Sequence, residues 1–561
     1  MTRFFTILSR FQNYAVLIGF LPVLFYGYVI FHFSSNVPFY DDFFWGFDYL
    51  ETYFQKNTIL DKIKMLLMQH NQHRFIYFRA VLLGLFQLEG NLNFKQLILI
   101  GNISLFGIFA VYGFAFKRTA LSWLYFLPIP FLLFQYQFMY NSIVSYGVPN
   151  MSIIFLAILT FYFACFTSPK HSYLIWIAGF IATFSNGNGI VVFFVAIVLL
   201  LLQQRFRQAI YTAIFYALSL AIYFSGFHME SSEAKLNGNT FMYAFRFLGA
   251  AFQTEINSIS VAFGIIAIAG IFIYFLYFFF KLIKDKFKRV ENKVLLFCLG
   301  VFLFLAATAM MTAIVRAIHK VEIPDWYKNY SILFITTIYL FLINFKANQY
   351  LRWATLGVFV LYSIGIWYRS AEKNLVSYQY LKSNFEADVT NFQNHQFWSF
   401  LTAQEGIEFY LRHNQQTHQF IKKGWYRLPE TPLTNLAFDS TKAEKTTFTI
   451  EKSAEHFATL IQYNPDNLNT DYRAYKERYG FIVNDSTKQL YFFGIVPTFN
   501  GIKGLIQYKS LFFDKSSFGV NYQYYKEAIP AGNYRVGMVF IDANKQAEWK
   551  ISDQTIRVDN Y

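Results

Sequence analysis

Apolar runs long enough to cross a bilayer recur between residues 14 and 368, and none follows. A helix needs about 20 predominantly apolar residues to traverse the hydrocarbon core. Only helices and closed barrels keep every backbone amide paired there. The chain therefore reads as mainly α: a polytopic transmembrane helix bundle, residues 1–370, with a soluble, mainly β tail, residues 371–561. Runs at 14–33, 92–116, 120–139, 150–167, 172–185, 189–203, 208–226, 252–280, 294–315, 329–345 and 351–368 predict about eleven spans. A content of 55% hydrophobic and 14% charged residues belongs to the same class of protein.

The net charge of +15 invites a nucleic-acid reading, but the basic residues are placed as topology signals. With Arg3 and Arg10 cytoplasmic, Lys117 and Arg118, Lys170, Arg205 and Arg207, the cluster 281–293, and Lys346 with Arg352 fall on one side. That is the positive-inside pattern. An odd span count then puts the first loop, 34–91, and the tail on the opposite face. In a bacterium this is an inner-membrane protein with a cytoplasmic N-terminus and a periplasmic C-terminal domain. The first run is too long for a signal-peptide core and lacks a small-residue cleavage site. Cys165 and Cys298 sit in different spans and suggest neither a disulfide framework nor a metal site.

The first loop is amphipathic, as interfacial helices are. The run 172–203 is apolar except for S-N-G-N-G at 185–189, which predicts a hairpin of two short helices whose turn faces a cavity or buried protein. Polar loops follow at 228–240 and 316–330. In the tail, 371–423 reads as a helical stalk, and L-Y-F-F-G-I-V from 490 and Y-R-V-G-M-V-F-I-D from 534 read as strands.

Three groups carry possible chemistry. Asp41 and Asp42 stand in N-V-P-F-Y-D-D-F-F-W, residues 36–45, at the end of the first span. One aspartate suffices to cap a helix; a second among aromatics is costly unless it meets a cation, a metal or a substrate proton. Next comes Q-H-N-Q-H-R, residues 69–74. If helical, it puts His70, His73 and Arg74 on one face, suited to hydrogen bonding or, with further ligands, to a divalent metal ion. Arg316, followed by His319, Lys320 and Lys328, is either a snorkelling cation at the lipid boundary or a phosphate clamp.

The acidic pair after the first span, the amphipathic first loop, the many spans and the soluble tail together resemble the GT-C superfamily of membrane glycosyltransferases. F-Y-D-D-F-F with Q-H-N-Q-H-R is similar to a bacterial branch whose pattern is an acidic pair followed by H-N-E-H-R. The S-N-G-N-G turn and the insert from Arg316 to Tyr330 look like that branch too. Gln72 stands where Glu is usual there, and Lys328 with Tyr330 where Ser-Arg-Tyr is usual.

The resemblance implies a hexosyltransferase-type enzyme of the cell envelope. It would move a sugar from a polyprenyl-phosphate donor to a glycan, lipid or protein acceptor on the periplasmic face, with membrane lipids and no nucleic acid among its partners. On that basis Asp41 is the expected base, with Asp42 orienting it or replacing it. Arg74, Arg316 and Lys328 contact the donor phosphate, and His70, His73, Asn186 and Tyr330 contact substrate or support those that do. The competing readings are a polysaccharide ligase or polymerase, which carries its key residues in a late periplasmic loop, and a lipid-linked-sugar flippase, which buries charges near the midplane.

Overall fold

The computed structural model describes residues 12–71, 73–228, 238–252, 257–284, 290–316, 322–344, 348–398, 407–455, 458–465, 475–495, 520–525 and 529–558. Of the residues named above, Arg3, Arg10, Gln72, His319, Lys320 and Lys346 lie outside them, as does most of the polar loop 228–240. The chain divides into two compact units. The first comprises Met1–Ile30, Lys56–Val81 and Leu97–Arg369; the second comprises Phe31–Gln55, Leu82–Gln96 and Ser370–Tyr561.

The first unit is helical. Among the described residues, six helices are long and apolar enough to cross a membrane: Val16–Phe33, Phe94–Lys117, Gly147–Phe166, Ile259–Leu276, Lys293–Arg316 and the apolar part of Gln349–His395. These suggest a membrane protein. The other predicted runs form helices that are too short or broken, except Phe206–Phe224, which has the length but not the apolarity. The run at 120–139 splits into a 3-10 turn, Trp123–Phe126, and a short helix, Pro128–Leu133, which ends where Phe134 leaves helical geometry. Pro128 and Pro130 stand near that helix's start, where their missing amides cost nothing. The run at 172–203 is a hairpin of Tyr173–Thr183 and Ile190–Leu202 around the 3-10 turn Gly187–Gly189.

Helices Phe94–Lys117 and Gly147–Phe166 cross closely. A Cβ at Gly101 would come within 2.6 Å of the Gly147 carbonyl carbon, the small-residue contact that lets backbones approach in lipid. Cys165 and Cys298 are buried and unbonded. Helix Ile59–Leu67 begins at Thr58, whose hydroxyl accepts from the Asp61 amide at 3.1 Å. Its Ile59, Leu60 and Ile63 remain exposed, as on a helix lying in a membrane interface.

The second unit joins parts of the first loop to the tail. A five-stranded sheet is built from β1 (Glu444–Lys445), β4 (Tyr475–Asn484), β5 (Leu490–Phe493), β7 (Gly532–Asp542) and β8 (Ala547–Val558), in the order β1-β8-β7-β4-β5. Its β1–β8 pair is parallel and the others antiparallel. Three further strands, β2 (Phe448–Glu455), β3 (Ala458–Pro465) and β6 (Val520–Tyr525), form an antiparallel sheet in the order β2-β3-β6.

Alternate residues Tyr479, Phe481 and Val483 of β4 pack with Val539, Ile541, Trp549 and Ile551 into a core that Ala387 of the long helix also joins. Period-two burial of this kind is what a strand with one covered face requires. Asn391 pins that helix to β5, donating to the Phe492 carbonyl at 2.9 Å and accepting from its amide at 2.8 Å.

Both flanks of the first loop are held by one tail segment. Leu92 bridges to Tyr426 in parallel and donates to the Trp425 carbonyl at 2.7 Å. Asn36 donates to the Arg427 carbonyl at 3.0 Å and accepts from the Phe94 amide at 2.8 Å, while the Tyr426 hydroxyl donates to the Asn36 carbonyl at 2.7 Å. Both ends of the loop's described helices are thereby tied to residues 425–427.

Candidate active site

The Q-H-N-Q-H-R stretch is not helical. His70 and His73 exchange backbone hydrogen bonds, both 2.9 Å, around a tight turn in which Asn71 has φ +48°. Asparagine tolerates that left-handed geometry better than most residues. The two histidines therefore oppose each other across a turn instead of stacking along a helix face.

Arg74 is buried, and its guanidinium donates to the carbonyls of Leu67, Tyr223 and Ser225. Those oxygens belong to the ends of helices Ile59–Leu67 and Phe206–Phe224, where carbonyls lack intrahelical partners. The expected phosphate ligand is thus a clamp on two helix ends, with its donors turned to backbone. Arg74→Gln should lower the thermal inactivation midpoint of the detergent-solubilised protein, with a cost of about 3 kcal/mol from stranded carbonyls. Arg74→Lys should recover little, because an ammonium does not reproduce the planar fork.

His73 sits on the S-N-G-N-G turn. A Cβ at Gly187 would lie 2.4 Å from the His73 Nδ1, so glycine is required there. Asn186 accepts from the Gly187 amide at 2.7 Å and starts a ladder of amides. Its Nδ2 donates to Asn150 Oδ1 at 3.0 Å, Asn150 to Asn141 Oδ1 at 2.9 Å, and Asn141 to the Trp326 carbonyl at 2.8 Å. Asn188 donates to Thr308 Oγ1 and to the Tyr330 hydroxyl, both at 3.1 Å. Two asparagines of one turn thus brace the insert that runs from Arg316 to Tyr330. In an apolar bundle each link is strongly favoured over an unpaired amide.

Arg316 lies over the Tyr327 ring, 5.9 Å from its centroid. Burial chiefly, helped by the charges of His70 and Arg316, pulls His73 down to about 4, and burial with Arg79 lowers His70. At neutral pH the His73 ring is uncharged and offers hydrogen bonds in place of charge. Lys328 opens helix Lys328–Asn344 within the same insert.

Sequence reasoning missed Asp325. Its Oδ2 accepts from the Tyr140 amide at 3.3 Å, while Oδ1 is buried with no hydrogen-bond partner among the described residues. Burial pushes its carboxyl up to about 7 against the opposing pull of the Tyr140 amide and Lys328. A raised carboxyl binds its proton more tightly folded than unfolded, so it lowers stability progressively from about pH 4, where the unfolded chain ionises, to about 7. Asp325→Asn should therefore raise the inactivation midpoint at pH 8 and leave it nearly unchanged at pH 4; a lower midpoint at both values would contradict this account.

Asn141 and Asn150 were missed as well, although amides amid apolar residues are a recognisable signal of buried function.

In the second unit, the two aspartates separate. Asp42 is buried, and its Oδ2 accepts from the Phe39 amide at 2.8 Å while its own amide donates to the Phe39 carbonyl at 3.0 Å. It closes the turn in which Tyr40 has φ +45°. Burial and the neighbouring Asp42 charge both raise the Tyr426 hydroxyl's pKa. Asp41 is partly buried.

Immediately after the pair, Phe43–Asp48 is a π-helical turn, a geometry frequent at functional sites. Asp48 at its end meets Arg412 Nη2 at 2.8 Å and Gln416 Nε2 at 2.9 Å. Burial would raise its carboxyl, but His413 close by at 3.9 Å, the Gln416 hydrogen bond and the Arg412 charge outweigh it and hold the pKa below the ordinary value.

Among the described residues, no three His, Cys, Asp or Glu side chains are grouped to hold a metal ion. His70 and His73 accordingly gain no third ligand there. Comparisons with protein families, characterised proteins and solved structures find no match to this chain.

Proposed function

We propose that the protein is an integral-membrane glycosyltransferase of the GT-C type, transferring a sugar from a polyprenyl-phosphate donor to an acceptor on the periplasmic face of a bacterial inner membrane. The observation that carries this reading is the convergence of three motifs far apart in sequence. His73 rests on Gly187, Asn188 bonds Tyr330, and Arg316 acts on His73. A purely structural helix bundle gives no reason to gather a neutral histidine, an arginine and a braced polar insert.

The chemistry assigns two tasks. An acceptor hydroxyl attacks the anomeric carbon, its proton passes to the Asp41 carboxylate, and the bond from the anomeric carbon to the phosphate oxygen breaks. A single displacement inverts the anomeric configuration. A carboxylate in hydrogen-bond reach suits the first task, and Asp41, partly accessible where Asp42 is buried, suits it better. The leaving phosphate gains negative charge, which Arg316 and Lys328 would stabilise. His70, His73, Asn186 and Tyr330 shape and support the site, and Arg74 positions the histidine turn.

The proposed topology keeps about eleven membrane segments. The short apolar helices enter the bilayer in pairs or as broken elements, the N-terminus is cytoplasmic and the tail is periplasmic. A ligase or polymerase acts on similar lipid-linked sugars, and a flippase would move them unaltered. Reconstituted vesicles loaded with labelled polyprenyl-phosphate sugar separate these readings. A transferase releases polyprenyl phosphate and forms a glycosylated acceptor; translocation of intact donor without release would overturn the proposal.

A further inference from the structure

Helix Gly238–Leu248 brings a second arginine to the insert. Tyr243, Arg246 and Phe247 share one face by their three- and four-residue spacing. The Phe247 ring lies 5.4 Å from Tyr327 and 5.6 Å from Tyr330, and Tyr327 is the ring that carries Arg316 at 5.9 Å. Tyr243 is only 3% exposed, and its hydroxyl is a buried donor with no hydrogen-bond partner among the described residues. The charges of Arg316 and Arg246 both act on that hydroxyl, against the burial that pushes it up to about 12. The helix thus sets Arg246 next in sequence to the ring that meets Tyr327, the same tyrosine that Arg316 overlies from another helix.

Resting on the transferase reading above, we infer that Arg246 and Tyr243 join Arg316 in a site for a phosphate monoester, the leaving group of the proposed reaction. A sugar phosphodiester carries one negative charge, and the released polyprenyl phosphate carries up to two. A second cation is consequently worth more as the bond breaks than in the donor complex, the condition for accelerating a step rather than only tightening binding. The Tyr243 hydroxyl supplies a neutral donor to the same group. A phospholipid headgroup offers a phosphodiester monoanion of related chemistry, so the two sources need separate arms in the test.

Binding of farnesyl phosphate to the full-length protein in detergent, read by tryptophan fluorescence, tests the inference without requiring turnover. Phosphatidylglycerol serves as the competing phosphodiester. Arg246→Gln should weaken farnesyl phosphate about 10- to 100-fold, as loss of a charge-assisted hydrogen bond does. Arg246→Lys should recover part of the loss, which separates charge from folding, and Tyr243→Phe should weaken binding several-fold. Phosphatidylglycerol should compete poorly. Unchanged binding by Arg246→Gln, with loss in Arg316→Gln, would overturn the inference and leave the transferase reading standing. Equal binding of phosphatidylglycerol would overturn it in favour of a headgroup site. No binding of farnesyl phosphate by the unaltered protein would overturn both.

Discussion

Asp41→Asn is expected to lower the rate of sugar transfer by about 10²- to 10⁴-fold, the contribution of a positioned general base, while leaving thermal stability unchanged. Asparagine is nearly isosteric with the partly buried Asp41 and keeps an acceptor oxygen, but cannot take the acceptor's proton. Asp42 should respond differently. Its carboxylate is buried against the Phe39 amide at 2.8 Å, so Asp42→Ala should destabilise the turn by about 1–3 kcal/mol. Asp42→Asn keeps an acceptor oxygen and should retain more stability than the alanine variant. Turnover and inactivation midpoints measured on all three variants decide between the assignments. If Asp41→Asn kept full turnover and Asp42→Asn lost it, the base would be Asp42.

Arg316 is the second large effect. Arg316→Gln should cost about 10²- to 10³-fold in transfer, as removal of a preorganised electrostatic donor does, and Arg316→Lys should recover only part of it, since an ammonium lacks the bidentate fork. A cation that merely snorkels to lipid headgroups gives the opposite pattern, because its replacement at the membrane boundary leaves chemistry intact. The kinetic split is informative too. A contact that strengthens as the phosphate leaves lowers the maximal rate more than it raises the donor KM.

The long apolar helices were legible because membrane crossing demands about 20 apolar residues and little else, and Phe94–Lys117 and Lys293–Arg316 meet that demand. The hairpin at 172–203 was legible because glycine and asparagine interrupt an otherwise unbroken run. Mean hydropathy alone could not foresee that the run at 120–139 breaks at Phe134, since the many aromatic and aliphatic residues there outweigh Gln135 and Gln137. Nor could spacing decide the geometry of Q-H-N-Q-H-R. A three-residue separation suits a helix face and a two-residue turn equally, and the left-handed Asn71 selects the turn.

Side-chain direction was the larger gap. Arg74 and Arg316 look alike in sequence, yet one is turned to three backbone carbonyls and the other lies over Tyr327. Asn141, Asn150, Arg246 and Asp325 gain meaning only from partners brought together by helix packing. The joining of the first loop to the tail is likewise non-local, since Asn36 and Arg427 are separated by 391 positions. The tail therefore has a physical role in this fold: residues 425–427 and Arg412 hold the helices that follow Asp41 and Asp42.

The most direct test of the central claim is chemical. Purified full-length protein, presented with a panel of polyprenyl-phosphate sugars and candidate glycan, lipid and protein acceptors, with and without chelator, should release polyprenyl phosphate from at least one donor. Asp41→Asn and Arg316→Gln proteins of unchanged folding should release little. Release at the same rate from both variants, or movement of intact donor across sealed vesicles with no release, would contradict the account.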